Sequence, residues 1–413
     1  MIDFRPFAAF RPTSETVAQV AALPYDVMSS EEAREMVKGK PLSFLHVDRA
    51  EIDLPKDISP YDPAVYEKAK ENLWHMIDTG IYVQDEKPAY YIYELTMNER
   101  VQAGIVGVSS IDDYMENRIK KHEFTREEKE MDRIWHVDTC NAQTGPIFLT
   151  YRDTVGIQPL IKAYMKSCLP VYDFTAEDGV NHRIWHITDE HLIQTIQEKF
   201  KEIPATYIAD GHHRTASADK VGLKRRQKAA SENPEAPYNY FLSVLFPHDE
   251  LYIMDYNRII TDMNGLTVET LLQALQTAFL VEQAPASPYH PEKKGTYGMY
   301  VEHQWYKLTL KKEFQSQDVI QGLDVAQLQT HVLEKIFNIG DVRKDTRIDF
   351  VGGIRGLKEL ERLVDTQKAK VAFSMYAPTM DDLLNVADAN EIMPPKSTWF
   401  EPKLRSGIFV HQI

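Results

Sequence analysis

A mixed α+β fold spread over two domains is what the sequence predicts, and three observations carry that expectation. Strand-like runs of β-branched and aromatic residues alternate with helix-period runs along the whole chain. The alternation keeps no regular βαβ period, so it does not demand a closed parallel barrel. A length of 413 residues, with 43% hydrophobic and 26% charged, exceeds what one simple core organises. The boundary is expected after Pro247-His248-Asp249-Glu250, giving domains 1–250 and 251–413.

The elements follow in order. Phe4 to Phe10 reads as a strand, and Pro24-Tyr25-Asp26-Val27 as a turn in which Asp26 either faces a site or makes an Asx-turn. Ser29-Ser30-Glu31-Glu32 is an N-cap signature opening a helix through Val37. Ser43 to Val47 is a candidate buried strand, and Ala64 to Asp78 carries Tyr66, Ala69, Leu73 and Ile77 on one helical face. Ala89 to Leu95 and Gln102 to Ile111 pair as a hairpin. Thr125, with Glu128 three residues on, predicts a capped helix. Ile147–Tyr151 and Phe241–Phe246 are strands, and Leu192–Phe200 is a helix. Beyond the boundary come helix Val268–Phe279, a hairpin of Tyr297–Val301 with Trp305–Leu310, and helices Val325–Phe337 and Leu357–Val364. Strand Val371–Met375 and helix Met380–Ala389 close the pattern. Arg-Ile-Trp-His occurs at 133–136 and again at 183–186, helix-like first and strand-like second; unlike flanks make it chance rather than duplication.

The densest chemistry lies in Tyr207-Ile208-Ala209-Asp210-Gly211-His212-His213-Arg214-Thr215-Ala216-Ser217-Ala218. This is a short apolar strand, a glycine turn and the start of a small-residue helix. Open N–H groups at a helix N-terminus attract anions, and a guanidinium fork matches phosphate oxygens. Gly211 permits φ > 0 and lets a ligand approach the backbone. The rival reading is a polar β-turn with a satisfied histidine pair. Two imidazoles, an acid and a guanidinium each need a partner if buried, which argues for more than packing.

Asp-Gly-His-His-Arg before an alanine-rich helix resembles the phosphate-binding turn of the ParB/sulfiredoxin superfamily. Pro24-Tyr25-Asp26-Val27, His122-Glu123-Phe124-Thr125, the Asp-Gly-His-His-Arg turn and Met393-Pro394-Pro395-Lys396-Ser397-Thr398 occur in that order, and together resemble the domain-of-unknown-function family 1015. The resemblance implies a ParB/sulfiredoxin-like core with insertions, then a C-terminal α/β domain whose end returns to the site. It implies phosphoryl transfer between ATP or ADP and free L-serine or phosphoserine, as in free-serine kinases. Glu123 would be the general base, Asp210 the substrate anchor, and Gly211, His212, His213 and Arg214 the phosphate clamp, with His213 counted as catalytic. Arg126 would join the phosphates, and Lys396, Ser397 and Thr398 would close over them, unless that stretch is a plain C-terminal turn packed by Trp399 and Phe400, which its residues fit equally well. Mg2+ would arrive on the phosphates, with Asp210 the protein ligand within reach of it. A nucleotide-binding regulatory switch acting through a partner is the alternative.

Other features bound these expectations. A net charge of −15 argues against a nucleic-acid partner, including a ParB-type DNA clamp, and makes Lys224-Arg225-Arg226-Gln227-Lys228 a solvated helix tail. No membrane-length apolar run or signal peptide is evident, and Cys140 and Cys168 read as free thiols of a reducing cytoplasm. Sulfiredoxin's cysteine is replaced in the turn by His212 or His213, which argues against sulfinic-acid repair. His182 and His186 would suit zinc only on a helix, and their segment reads as a strand. Asn257-Arg258 and Arg347 are further anion contacts of low specificity. The partners expected are a small amino acid and a nucleotide, with homo-oligomerisation left open.

Overall fold

The computed structural model describes residues 1–413. The chain divides into two units, Met1–Leu251 with Pro402–Ile413, and Tyr252–Glu401. Both units mix helices with sheets, an α+β architecture.

The first unit is built on a nine-stranded mixed sheet. Its strands are β1 (Phe4–Arg5), β2 (Tyr90–Met97), β3 (Arg100–Ser110), β4 (Ile119–Lys120), β5 (Ile147–Tyr151), β6 (Tyr172–Thr175), β7 (Asn181–Ile187), β8 (Thr206–Asp210) and β9 (Tyr240–Pro247). They lie in the order β4-β8-β5-β9-β3-β2-β7-β6, with β1 also paired to β3. The β2–β3 hairpin turns on Asn98 and Glu99, both at positive φ, the geometry a two-residue hairpin loop demands. Gly107 of β3 has no room for a Cβ, which would meet the Phe4 ring at 2.6 Å.

Besides the short helices Val17–Val20 and Ile111–Met115, the helices are α1 (Ser30–Met36), α2 (Leu45–Asp48), α3 (Pro63–Asp78), α4 (Glu127–Cys140), α5 (Ile157–Ser167), α6 (Glu190–Glu202) and α7 (His212–Lys228). Ile157 and Ile161 of α5 and Ile196 and Phe200 of α6 share a core with Phe4, Tyr90, Ile105, Leu149 and Ile208. A second core joins Phe10, Val20, Phe44, Leu45, Leu73 and Val410. Each such side chain contributes about 1.5–3 kcal/mol by leaving water.

Local differences from the sequence reading have physical reasons. Ser43–Val47 is not a strand: Val47 and Asp48 N–H groups both donate to the Phe44 carbonyl, winding one helical turn into the second core. Thr125 does not cap α4. Arg126 is the N-cap, and the Thr125 hydroxyl donates instead to Glu130 Oε2 at 2.8 Å.

The second unit holds a six-stranded antiparallel sheet. Its strands are β10 (Tyr256–Ile260), β11 (Phe279–Gln283), β12 (Thr296–Val301), β13 (Gln304–Leu310), β14 (Ile348–Gly352) and β15 (Val371–Ser374), in the order β11-β13-β12-β15-β10-β14. Helix α8 stops at Leu275 and Phe279 opens β11, so the helix expected through Phe279 is shorter (α8 is Val268–Leu275). The helix expected over 325–337 is a short α9 (Asp324–Leu328) running into a wider turn over Gln329–Glu334. Helices α10 (Leu357–Asp365) and α11 (Met380–Asp388) complete the unit. No helix is long and apolar enough to cross a membrane.

Candidate functional site

Sheet register decides which residues meet. β4 runs parallel to β8, pairing Ile119 with Thr206 and Lys120 with Tyr207. The chain therefore leaves both strands at the same sheet edge, and β5, antiparallel to β8, enters there. Three segments converge as a result: 121–126 after β4, Gly145-Pro146 before β5, and 210–214 after β8.

Gly211 sits at φ +101°, a conformation that favours glycine, and turns the chain from β8 into α7. The first N–H groups of α7 have no acceptor within their own helix and point out of its N-terminus. The Arg214 guanidinium folds back beneath the turn, close enough that a Cβ on Gly211 would lie 3.2 Å from its Nε. Its Nη1 donates to the Pro146 carbonyl at 2.6 Å, and its Nη2 lies 4.0 Å from Asp210 Oδ1.

Segment 121–126 is fastened to this turn by its backbone. The His122 N–H donates to His212 Nε2 at 3.4 Å, and the Arg126 N–H donates to His213 Nε2 at 3.0 Å. Both Nε2 atoms are acceptors, so neutral His212 and His213 carry their proton on Nδ1. The Nδ1 of His212 faces Glu123 Oε2 at 3.8 Å. The His122 and His212 rings meet edge to face, 4.5 Å between centroids.

The electrostatics follow burial. Burial pushes His122 down to about 4, against the pull of Asp210. Burial, then repulsion from His122, puts His212 well below its ordinary value. Burial and the Arg126 guanidinium also lower His213. These imidazoles are neutral at pH 7 and add no positive charge. Burial alone would raise Asp210, but the Lys403 ammonium and the Arg214 guanidinium outweigh it and hold the carboxyl down to about 2. Lys403 Nζ donates to Asp210 Oδ2 at 3.2 Å. The positive charge around the turn therefore comes from Arg214, Lys403 and Arg126, with Lys121 and Lys129 acting on the imidazoles from nearby.

α4 brings the 121–126 segment close because α7 presents small residues to it. Ser217, in the Ala216-Ser217-Ala218 run, donates to the Glu130 carbonyl at 3.0 Å. A small cavity beside Arg214 is lined by Tyr25, Asp48, Arg133, Thr144, Ile147 and Ser406. Arg133 lies 3.9 Å over the Tyr25 ring. Neighbouring Asp26 attracts both His213 and Arg214.

The family model described as "Protein of unknown function (DUF1015)" matches residues 4–326. The chain belongs to this family. No curated protein matches this DUF1015 chain. Among solved structures, a mutant free serine kinase in complex with AMP aligns at 12% identity and TM-score 0.37, covering 74% of this chain and 92% of that one. A conserved hypothetical protein from Pyrococcus furiosus aligns at 15% identity and TM-score 0.36, covering 76% and 97%. C-terminally truncated SbnI from Staphylococcus aureus aligns at 11% identity and TM-score 0.38, covering 73% and 85%.

Of the residues singled out in this DUF1015 sequence, Glu123, Arg126, Asp210, Gly211, His212, His213 and Arg214 come together in the first unit. Lys396, Ser397 and Thr398 belong to the second. There the Lys396 carbonyl accepts from Arg258 Nη2 at 3.0 Å, its ammonium lies 5.7 Å from the Tyr256 ring centre, and Ser397 Oγ donates to the Pro394 carbonyl at 2.5 Å. His182 and His186 lie on strand β7, where His182 pairs with Tyr93 and Arg405. Cys140 is buried, and burial pushes its thiol up to about 12, which makes this thiol a poor nucleophile. A protein-held metal does not fit: no three His, Cys, Asp or Glu side chains gather around a point, and one oxygen of the Asp210 carboxylate, Oδ2, already accepts from Lys403. Sequence reasoning missed two residues. His122 belongs to a recognised motif but carries no assigned role there, and Lys403 ends the stretch that begins at Met393 without an assigned partner, 193 residues from the carboxylate it touches.

Proposed function

We propose that the first unit binds the phosphates of ATP or ADP at the 210–214 turn and moves a phosphoryl group between that nucleotide and the hydroxyl of a small amino acid, best read as free L-serine. Helix α7's N-terminal N–H groups, Arg214 and Arg126 take the phosphate oxygens. Phosphoryl transfer asks mainly for positioning and charge neutralisation, which this arrangement offers. Glu123 accepts the proton of the substrate hydroxyl as the oxygen–phosphorus bond forms and the bond to the leaving nucleotide phosphate breaks. In the opposite direction phosphoserine is the donor and Glu123 returns the proton. Ionised Asp210 orients the substrate, binding its ammonium or hydroxyl. Mg2+ would be carried by the phosphates rather than by a protein cage.

The observation that carries this reading is the fastening of segment 122–126 to the phosphate turn, which sets the Glu123 carboxylate 3.8 Å from His212. A general base must stand within hydrogen-bond reach of the proton it takes, and a half-exposed carboxylate beside an anion site meets that need. The test is phosphorus NMR of the protein with ATP or ADP, Mg2+ and a panel of hydroxyl amino acids, and separately with phosphoserine and nucleotide. New phosphate-ester resonances support the reading. Silence across the panel despite nucleotide binding turns it to the second reading, a regulatory switch. That alternative draws on one feature: both histidines of the turn are spent holding a segment, a design that also suits a conformational sensor.

A further inference from the structure

The chain leaves the first unit at Leu251 and re-enters it at Pro402. The returning segment is held along its length. Ala22 and Ser406 exchange backbone hydrogen bonds at 3.2 and 2.9 Å, and Phe10 and Val410 do so at 3.1 and 2.9 Å. Arg405 pairs with Asp178 and donates to His182, and Ile408, Phe409 and Val410 are fully buried. The first residues of this anchored strap place Lys403 against the phosphate turn, with only 11% of its side chain exposed and its ammonium on Asp210. The strap lies outside residues 4–326, the region that carries the family match.

A lysine ammonium withdrawn from water must be compensated, and here Asp210 compensates it. Asp210 in turn faces Arg214, His212 and His122, so the carboxylate's position is fixed by what surrounds it. We propose that Lys403 is a positioning residue of the site: carried back by the C-terminal strap, it pins the Asp210 carboxylate in the orientation in which the substrate meets it. The inference rests on the phosphoryl-transfer reading and names the residue that makes Asp210 competent.

The test compares Lys403→Met and Lys403→Arg with the unaltered protein, reading kcat and KM for the amino acid and the phosphorus resonances of bound ADP. Lys403→Met is expected to lower kcat at least about tenfold, since small misplacements of an orienting group are costly. It should displace the bound-ADP resonances while leaving the melting temperature near that of Lys403→Arg. Lys403→Arg, which keeps the charge, should restore most of the rate. Unchanged kcat and unchanged phosphorus resonances in Lys403→Met would overturn the proposal. So would equal losses in both variants with matching falls in melting temperature, the mark of simple packing. If the unaltered protein binds ADP without turnover, the phosphoryl-transfer reading falls and the resonance shift alone decides for or against Lys403. If it binds no ADP, both fall.

Discussion

At His212 and His213 each Nε2 accepts a backbone N–H, and each ring is held below its ordinary protonation range. The pH dependence of stability follows from this. Above the unfolded-chain value of about 6.5 these rings are neutral in both states and their contribution is complete. Below it the unfolded chain takes protons that the folded one refuses, so stability is lost as pH falls from about 6.5 towards the folded value, about 4 for His122. His46 and His290, raised by Asp53 and Asp255, pull the other way near neutrality. The melting temperature should fall between pH 7 and pH 5, and His122→Gln, which cannot charge, should flatten that fall. A profile identical to the unaltered protein's would contradict the account. The residues of the turn were legible in the sequence because acid, glycine, imidazoles and guanidinium stand together. The meeting of Glu123's segment with the turn was expected from the resemblance; the staple role of the imidazoles was not, because their partners are backbone N–H groups, which every residue carries and residue identity does not mark.

Arg-Ile-Trp-His is helical at 133–136 and extended at 183–186, so identical residues take the structure their surroundings reward. Ser43–Val47 failed as a strand for the same reason: a short apolar run does not distinguish a strand from a buried helical turn. The long amphipathic helix at 63–78 and the hairpin of β2 and β3 were readable because their periods extend over many residues. At the junction of β8 and α7, Gly211→Ala would force an alanine to φ +101° with its Cβ 3.2–3.4 Å from the Arg214 guanidinium. We expect a loss of about 1–3 kcal/mol in stability and weaker ADP affinity, checked by denaturant unfolding and calorimetry. Unchanged affinity would show that Arg214 and the turn do not form one anion site.

On the scale of the molecule, the first unit is closed by the last residues of the chain rather than by its first 251 alone. Removing 402–413 strips Ile408, Phe409 and Val410 from the core and deletes Lys403. Each lost side chain costs about 1.5–3 kcal/mol of burial, a sum that rivals the stability of an ordinary domain. A chain ending at 401 should therefore show loss of cooperative unfolding of the first unit by calorimetry, while an unshifted transition would contradict that dependence. A return of the chain's end to the site was expected, but through Lys396, Ser397 and Thr398; that residues from Pro402 onward make the return was not visible, since nothing local in Pro402–Ile413 names its partners.

The account stands on Glu123 being a base beside a working phosphate turn. The direct measurement is Glu123→Gln, with ADP affinity by calorimetry and phosphoryl transfer by phosphorus NMR on the same samples. The account predicts affinity within about threefold of the unaltered protein and turnover lowered by about 10²–10⁴-fold. Transfer that survives at the original rate, with nucleotide bound as before, would contradict it.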